Sequence, residues 1–204
     1  MPVRPLDEAK PIFERHQDAI VDVVNTAHRR VIEGAGTLLK SMSTRTRQGL
    51  IRDLIVENLK EWSERTKGVQ YQKKGNLEWF GFANNWVLRV KHVDSEFAVE
   101  VSPTQDSKKY NKNVMPASVA ASLIEDQPAT ALYLGWYVTQ NSPLIPEVCL
   151  VCPNEHAEIA WVWPFSGEGP APTLRLPVPD APQPPPAGVR VKVKADKADR
   201  KKSG

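Results

Sequence analysis

The chain has 204 residues, 41% of them apolar and 25% charged, with a formal net charge of +3. That suits one globular core of ordinary size with a tail. No apolar run approaches the ~18 residues a membrane span needs, and the start MPVRPLDEAK has no signal-peptide core; a cytoplasmic protein without a membrane partner is expected.

The first predicted element is a helix over residues 12–33. Phe13, Ile20, Val24, Ala27 and Val31 recur every three to four residues as one apolar stripe, and Gly34 and Gly36 end it. His16 and His28 lie on it with no acidic or histidine partner at metal-ligand spacing, so they read as exposed or core-edge residues. A second helix is predicted over 44–65, with the stripe Ile51, Leu54, Ile55, Asn58, Leu59 and Trp62 and a close at Lys67-Gly68. Ser43 or Thr44 supplies its N-cap. Arg45 and Arg47 then fall in the first turn, where the helix dipole disfavours each cation by a few tenths to ~1 kcal/mol. Two such violations within three residues point to a phosphate or an acidic protein surface as partner. The alternative is that both arginines swing into water or pair with acids of the first helix.

From Val69 the period changes to two. VQYQKK, NLEWFGFA, WVLRVKHV, EFAVEVS, TALYLGWYVT, EVCLVC and EIAWVWPF read as strands, and MPASVAASLIED between 113 and 127 as one more helix. Helices first and sequential strands after imply an α+β domain over residues 1–168, two N-terminal helices packed on a mostly antiparallel sheet. Residues 169–188, GPAPTLRLPVPDAPQPPPAG, are too proline-rich for regular structure and read as an extended linker. Residues 189–204 carry Arg190, Lys192, Lys194, Lys197, Arg200, Lys201 and Lys202 against Asp196 and Asp199, a net +5, which leaves −2 for the remainder. A disordered basic tail able to touch nucleic acid weakly fits that end, whereas a dedicated DNA-binding body does not fit the rest.

The aromatic and basic stretch NLEWFGFANNWVLRVKHVD poses a choice between a gripping surface and a structural hairpin. A two-residue turn at Asn84-Asn85 sets Phe82 opposite Val87, Phe80 opposite Arg89 and Glu78 opposite Lys91. Leu77, Trp79, Ala83, Trp86, Leu88 and Val90 then face the core, and Arg89 lies over Phe80 on the outer face while Glu78 neutralises Lys91. Phe80, Phe82, Arg89 and Lys91 are the residues such a surface would offer a nucleic acid. The stronger reading is architectural.

No glycine-rich phosphate loop, HExxH, GxSxG or DxDxDG is present, and no cofactor is expected. Cys149 and Cys152 have CxxC spacing, but three positions along a strand put their sulfurs on opposite faces, which suits neither a disulfide nor zinc. Asp94, Glu96 and Glu100 are the nearest approach to a nuclease carboxylate cluster, with Lys108 or Lys109 as the basic partner. The polar loop SPTQDSKKYNKN offers Lys108, Lys109 and Lys112 for phosphate contact. His156 sits on a hairpin turn.

Three stretches, STRTRQGLIRDLIVENL, WVLRVKHVD and SPTQ, within residues 43–105, resemble a group of small uncharacterised bacterial proteins. Those are encoded beside helix-turn-helix regulators, some fused to an ImmA-type metallopeptidase domain, in toxin-antitoxin-like or phage-defence modules. Where that pattern has two lysines this chain has Lys91 and His92. The resemblance implies a toxin-like effector that acts by binding and is neutralised by an antitoxin-like or regulatory partner. The alternatives are a metal-dependent nuclease toxin using the carboxylates above and a nucleic-acid-binding accessory protein.

Overall fold

Two long apolar stripes need a sheet to cover, and the computed structural model supplies one. It describes residues 3–100, 102, 104–121, 123–124, 127–139 and 142–165. The predicted linker and basic tail lie outside them. The first helix begins earlier than its stripe suggested. α1 (Leu6–Phe13) runs through a 3-10 turn at Glu14–His16 into α2 (Gln17–Ala35). Pro11 inside α1 removes one backbone donor just before that change of pitch. Gly36, at φ +44°, ends α2. A single turn, α3 (Leu38–Ser41), leads to α4 (Thr44–Glu64), whose cap is Ser43: its hydroxyl accepts the Thr46 N–H at 3.1 Å.

Six strands follow in spatial order β1 (Val69–Lys74), β2 (Leu77–Phe82), β3 (Trp86–His92), β4 (Thr130–Thr139), β5 (Ser142–Pro153) and β6 (Ile159–Pro164). All neighbours are antiparallel except β3 and β4, which are parallel. A parallel pair requires a crossover, and the chain between β3 and β4 makes it; its described residues include two short helices, α5 (Gln105–Tyr110) and α6 (Ala117–Ala120). The fold is α+β with N-terminal helices on a mostly antiparallel sheet. Among the described residues no helix is long and apolar enough to cross a membrane.

The central strands are buried on both faces. Phe13, Ile20, Val24, Ile51, Ile55 and Leu59 of the helices cover Phe80, Phe82, Trp86, Leu88, Leu132 and Leu150. On the opposite face the crossover packs Tyr110 and Val119 against Trp79, Val87, Tyr133, Cys149 and Val151. Cys149 and Cys152 are buried, unpaired and on opposite faces as their spacing requires. Burial raises both thiols, Cys149 to about 12, so both stay protonated at neutral pH.

The hairpin differs from its predicted register by one residue. Ala83–Asn85 form a three-residue helical turn, with Asn85 at φ +58°, and the pairs are Phe80 with Leu88, Gly81 with Val87 and Phe82 with Trp86. A slip of one residue exchanges the faces of one strand relative to the other. Leu77 and Trp79 therefore share a face with Val87, Arg89 and Lys91, while Glu78, Phe80 and Phe82 join Trp86, Leu88 and Val90 beneath the helices. Glu78 bonds Arg52 of α4 and Lys73 of β1, each at 2.8 Å, instead of Lys91. Burial pushes its carboxyl up, but Lys73 and Arg52 outweigh this and hold it below the ordinary value.

Two further expectations are corrected. Among its described residues EFAVEVS forms no strand: Val93 and Val99 make one isolated bridge, because the Asp94 carboxylate accepts the N–H groups of Glu96 and Ala98, each at 2.9 Å, and folds the segment into a turn with Phe97 at φ +64°. The polar loop after it contains α5, capped by the Thr104 hydroxyl. MPASVAASLIED, read as a helix, shows one helical turn, Ala117–Ala120, among its described residues.

Candidate functional site

Three places carry the side chains that the sequence singled out. The first is the apex between α2 and α4. From residue 34 to 50 there are three cations, Lys40, Arg45 and Arg47, and no acid. Arg45 is exposed and makes no ion pair or hydrogen bond among the described residues. Arg47 turns back, its Nη2 donating to the Leu39 carbonyl at 2.8 Å, and so pins α3 to the start of α4. Neither reaches an acid of the first helices. Leu38, 62% exposed, and Leu50, 38% exposed, flank these cations. The sequence reading missed both leucines, although for Leu38 the Leu38-Leu39 pair, off any helical stripe, was a usable signal.

The second place is the crossover face of β3. Arg89 does not lie over Phe80. It is 8% exposed, with its guanidinium 5.0 Å from the Tyr110 ring centre. Phe80 packs on Tyr71 and Phe82 on Phe13; both are buried in the helix-covered core and offer nothing to a partner. Lys91, two residues on and on the same face, is half-buried and its Nζ donates to the Glu100 carbonyl at 3.3 Å. Tyr110 is completely buried and its hydroxyl lies 2.6 Å from the Val87 carbonyl and 2.8 Å from that of Leu132, while accepting the Leu132 N–H at 3.3 Å. Tyr133 stands beside Arg89 in the ladder, and burial raises its phenol to about 12.

The third place is the set of carboxylates and lysines proposed for nuclease chemistry. Asp94, Glu96 and Glu100 are exposed, and the Asp94 carboxylate is engaged in its turn. Among the described residues no three of His, Cys, Asp and Glu converge where a metal ion could be held. Lys108 and Lys109 lie exposed in the last turn of α5, where cations are favoured by the dipole, and Lys112 is exposed just beyond it. The helix that carries these lysines is thus anchored by Tyr110 and self-consistent without a phosphate.

His92 joins the apex to the sheet. Its Nε2 lies 3.1 Å from Gln48 Nε2 of α4 and its ring meets Trp136 edge-on. His16 packs edge-on against Trp62, at the core edge as expected, whereas His28 is buried. Burial, and then the Arg15 guanidinium, hold His16 below its ordinary 6.5; burial does the same for His92 against the opposing pull of Asp94 and Glu100. The unfolded chain therefore takes up these protons first as pH falls. Their contribution to stability is complete above 6.5 and is lost between 6.5 and the lower folded values. Urea midpoints are expected to fall across that window, and His16→Gln/His92→Gln should flatten the fall. A midpoint that rises on acidification through it would contradict the assignment.

No family model, curated protein or solved structure matches the chain.

Proposed function

We propose that this chain is a binding protein of a bacterial two-gene module, a cytoplasmic toxin-like effector that docks on an acidic protein surface and is neutralised by its partner. The reading rests on the apex. A cation in the first turn of a 21-residue helix opposes the helix dipole, and Arg45 has no compensating group among the described residues. An incoming carboxylate relieves that conflict and meets the free end of the dipole at once, while Leu38 and Leu50 supply apolar contact that a phosphate backbone would not use.

The same physics provides the test. Arg45→Glu removes the conflict, so it should stabilise the fold by about 1 kcal/mol while abolishing the effect on a partner. Growth arrest of a bacterial host on induction of the chain, lost with Arg45→Glu and with Leu38→Ser at undiminished thermal stability, is the expected result. Arrest relieved by Glu100→Ala but indifferent to Arg45→Glu would transfer the assignment to a nuclease. Absence of arrest with the unmodified chain would remove the effector reading for that host.

A further inference from the structure

Arginine is seldom buried without a carboxylate, because desolvating its charge is costly. Arg89 is such a case. It sits on the central strand β3 with only 8% of its surface exposed, and its Nη1 is buried with no hydrogen-bond partner. Among the described residues no carboxylate comes within ion-pair distance of it. The Tyr110 ring 5.0 Å away offers a cation–π contact, which compensates charge without satisfying the N–H groups.

A second cation follows on the same face. Residues two apart on a strand project side by side, about 6.6 Å apart along the chain, and the residue two beyond Arg89 is Lys91. Its ammonium reaches a backbone carbonyl, that of Glu100, rather than a carboxylate. Burial, then Arg89, then Arg52 hold it below its ordinary value and outweigh the opposing pull of the Glu100 carboxylate. Unlike Arg89, Lys91 remains partly open to solvent.

We propose that Arg89 and Lys91 form a binding site for a tetrahedral oxyanion, a phosphate group carried either free or as a small phosphomonoester, on the crossover face of the sheet. The guanidinium fork supplies two parallel donors and the ammonium a point charge. A dianion neutralises both cations, whereas a single carboxylate would leave one of them unpaired in a half-dry environment. The site is distinct from the apex, since it lies on the opposite face of the sheet from α4.

The experiment is thermal unfolding of the full chain titrated with inorganic phosphate, against sodium chloride at matched ionic strength. A saturable rise in Tm with phosphate alone is expected. Lys91→Met should weaken the apparent affinity at least tenfold, and Arg89→Met should abolish the rise. Without phosphate, Arg89→Met should unfold no earlier than the parent, because an unpaired buried charge has been replaced by an apolar side chain of similar length. Should Arg89→Met fail to fold, the half-exposed Lys91→Met carries the test, read by phosphorus NMR line-broadening. Lys108→Ala/Lys109→Ala/Lys112→Ala should leave the response unchanged. A 5′-mononucleotide that binds tighter than phosphate, with its nucleoside silent, assigns the phosphomonoester source; equal or weaker binding assigns free phosphate. No rise beyond chloride in the parent chain, or a rise that survives both methionine variants, overturns the site.

Discussion

Truncation of Tyr110 to alanine is expected to cost about 3–5 kcal/mol, the range for deleting a fully buried aromatic ring. Tyr110 is 0% exposed and ends α5, so it is where the crossover is fastened to the sheet. Its hydroxyl sits between β3 and β4, within hydrogen-bond distance of the Val87 and Leu132 carbonyls and accepting the Leu132 N–H. It thus ties together the one parallel pair in the sheet. Tyr110→Phe keeps the ring and removes the hydroxyl, so it isolates the polar part, about 1–3 kcal/mol for leaving buried backbone groups unsatisfied. Equilibrium denaturation of both variants separates packing from hydrogen bonding. If Tyr110→Phe were as stable as the parent, the hydroxyl would have no part in joining the strands.

Why the helices were legible and the hairpin register was not follows from what each buries. α4 has one apolar stripe, and Ser43 ahead of it is a cap that few other residues could replace. Its predicted span of 44–65 differs from Thr44–Glu64 by one residue. β3 has no exposed face over Trp86 to Val90, where every residue is buried. Central strands buried on both sides read as continuous apolar runs, so alternation carries no information about which face is which. Register then rests on the turn, and Asn84-Asn85 suits a two-residue turn although Ala83 is also part of it. Everything inferred about the outer face, including Arg89 over Phe80 and Glu78 with Lys91, inherited that slip.

The crossover was hidden for a different reason. EFAVEVS alternates well enough for a strand, yet a single carboxylate, Asp94, diverts it by capping the N–H groups a strand would have paired. The distance from His92 to Thr130 was the better signal, since a connection of that length is far longer than an antiparallel hairpin needs. At the candidate sites the split is similar. Arg45 was visible because the helix dipole makes a rule that a charge can break. Arg89 was not, because nothing in VLRVK distinguishes an exposed arginine from one enclosed by a distant tyrosine twenty-one residues on.

Gly135 is the position where the smallest substitution should have a large effect. A Cβ there would stand 2.8 Å from the Cys149 sulfur and 2.9 Å from Val93 Cγ1, both nearer than carbon tolerates. Those neighbours have nowhere to go: Cys149 is 1% and Val93 0% exposed. Gly135→Ala should therefore destabilise by about 1–3 kcal/mol, the usual cost of overpacking a filled core. Gly81 on β2 is the matched comparison, because its added Cβ would meet only the Gln70 carbonyl, at 3.9 Å. There the lost entropy of the unfolded chain dominates, and Gly81→Ala should be stabilising by about 0.4–1 kcal/mol. The two changes are chemically identical and differ only in what lies behind the strand. Cys149→Ala removes the closer obstacle, so the Gly135→Ala/Cys149→Ala pair should be less damaged than the sum of its parts, with a coupling of at least about 0.5 kcal/mol in a double-mutant cycle. Strict additivity would mean that Val93 or the strand backbone, not the Cys149 sulfur, takes up the new methyl group.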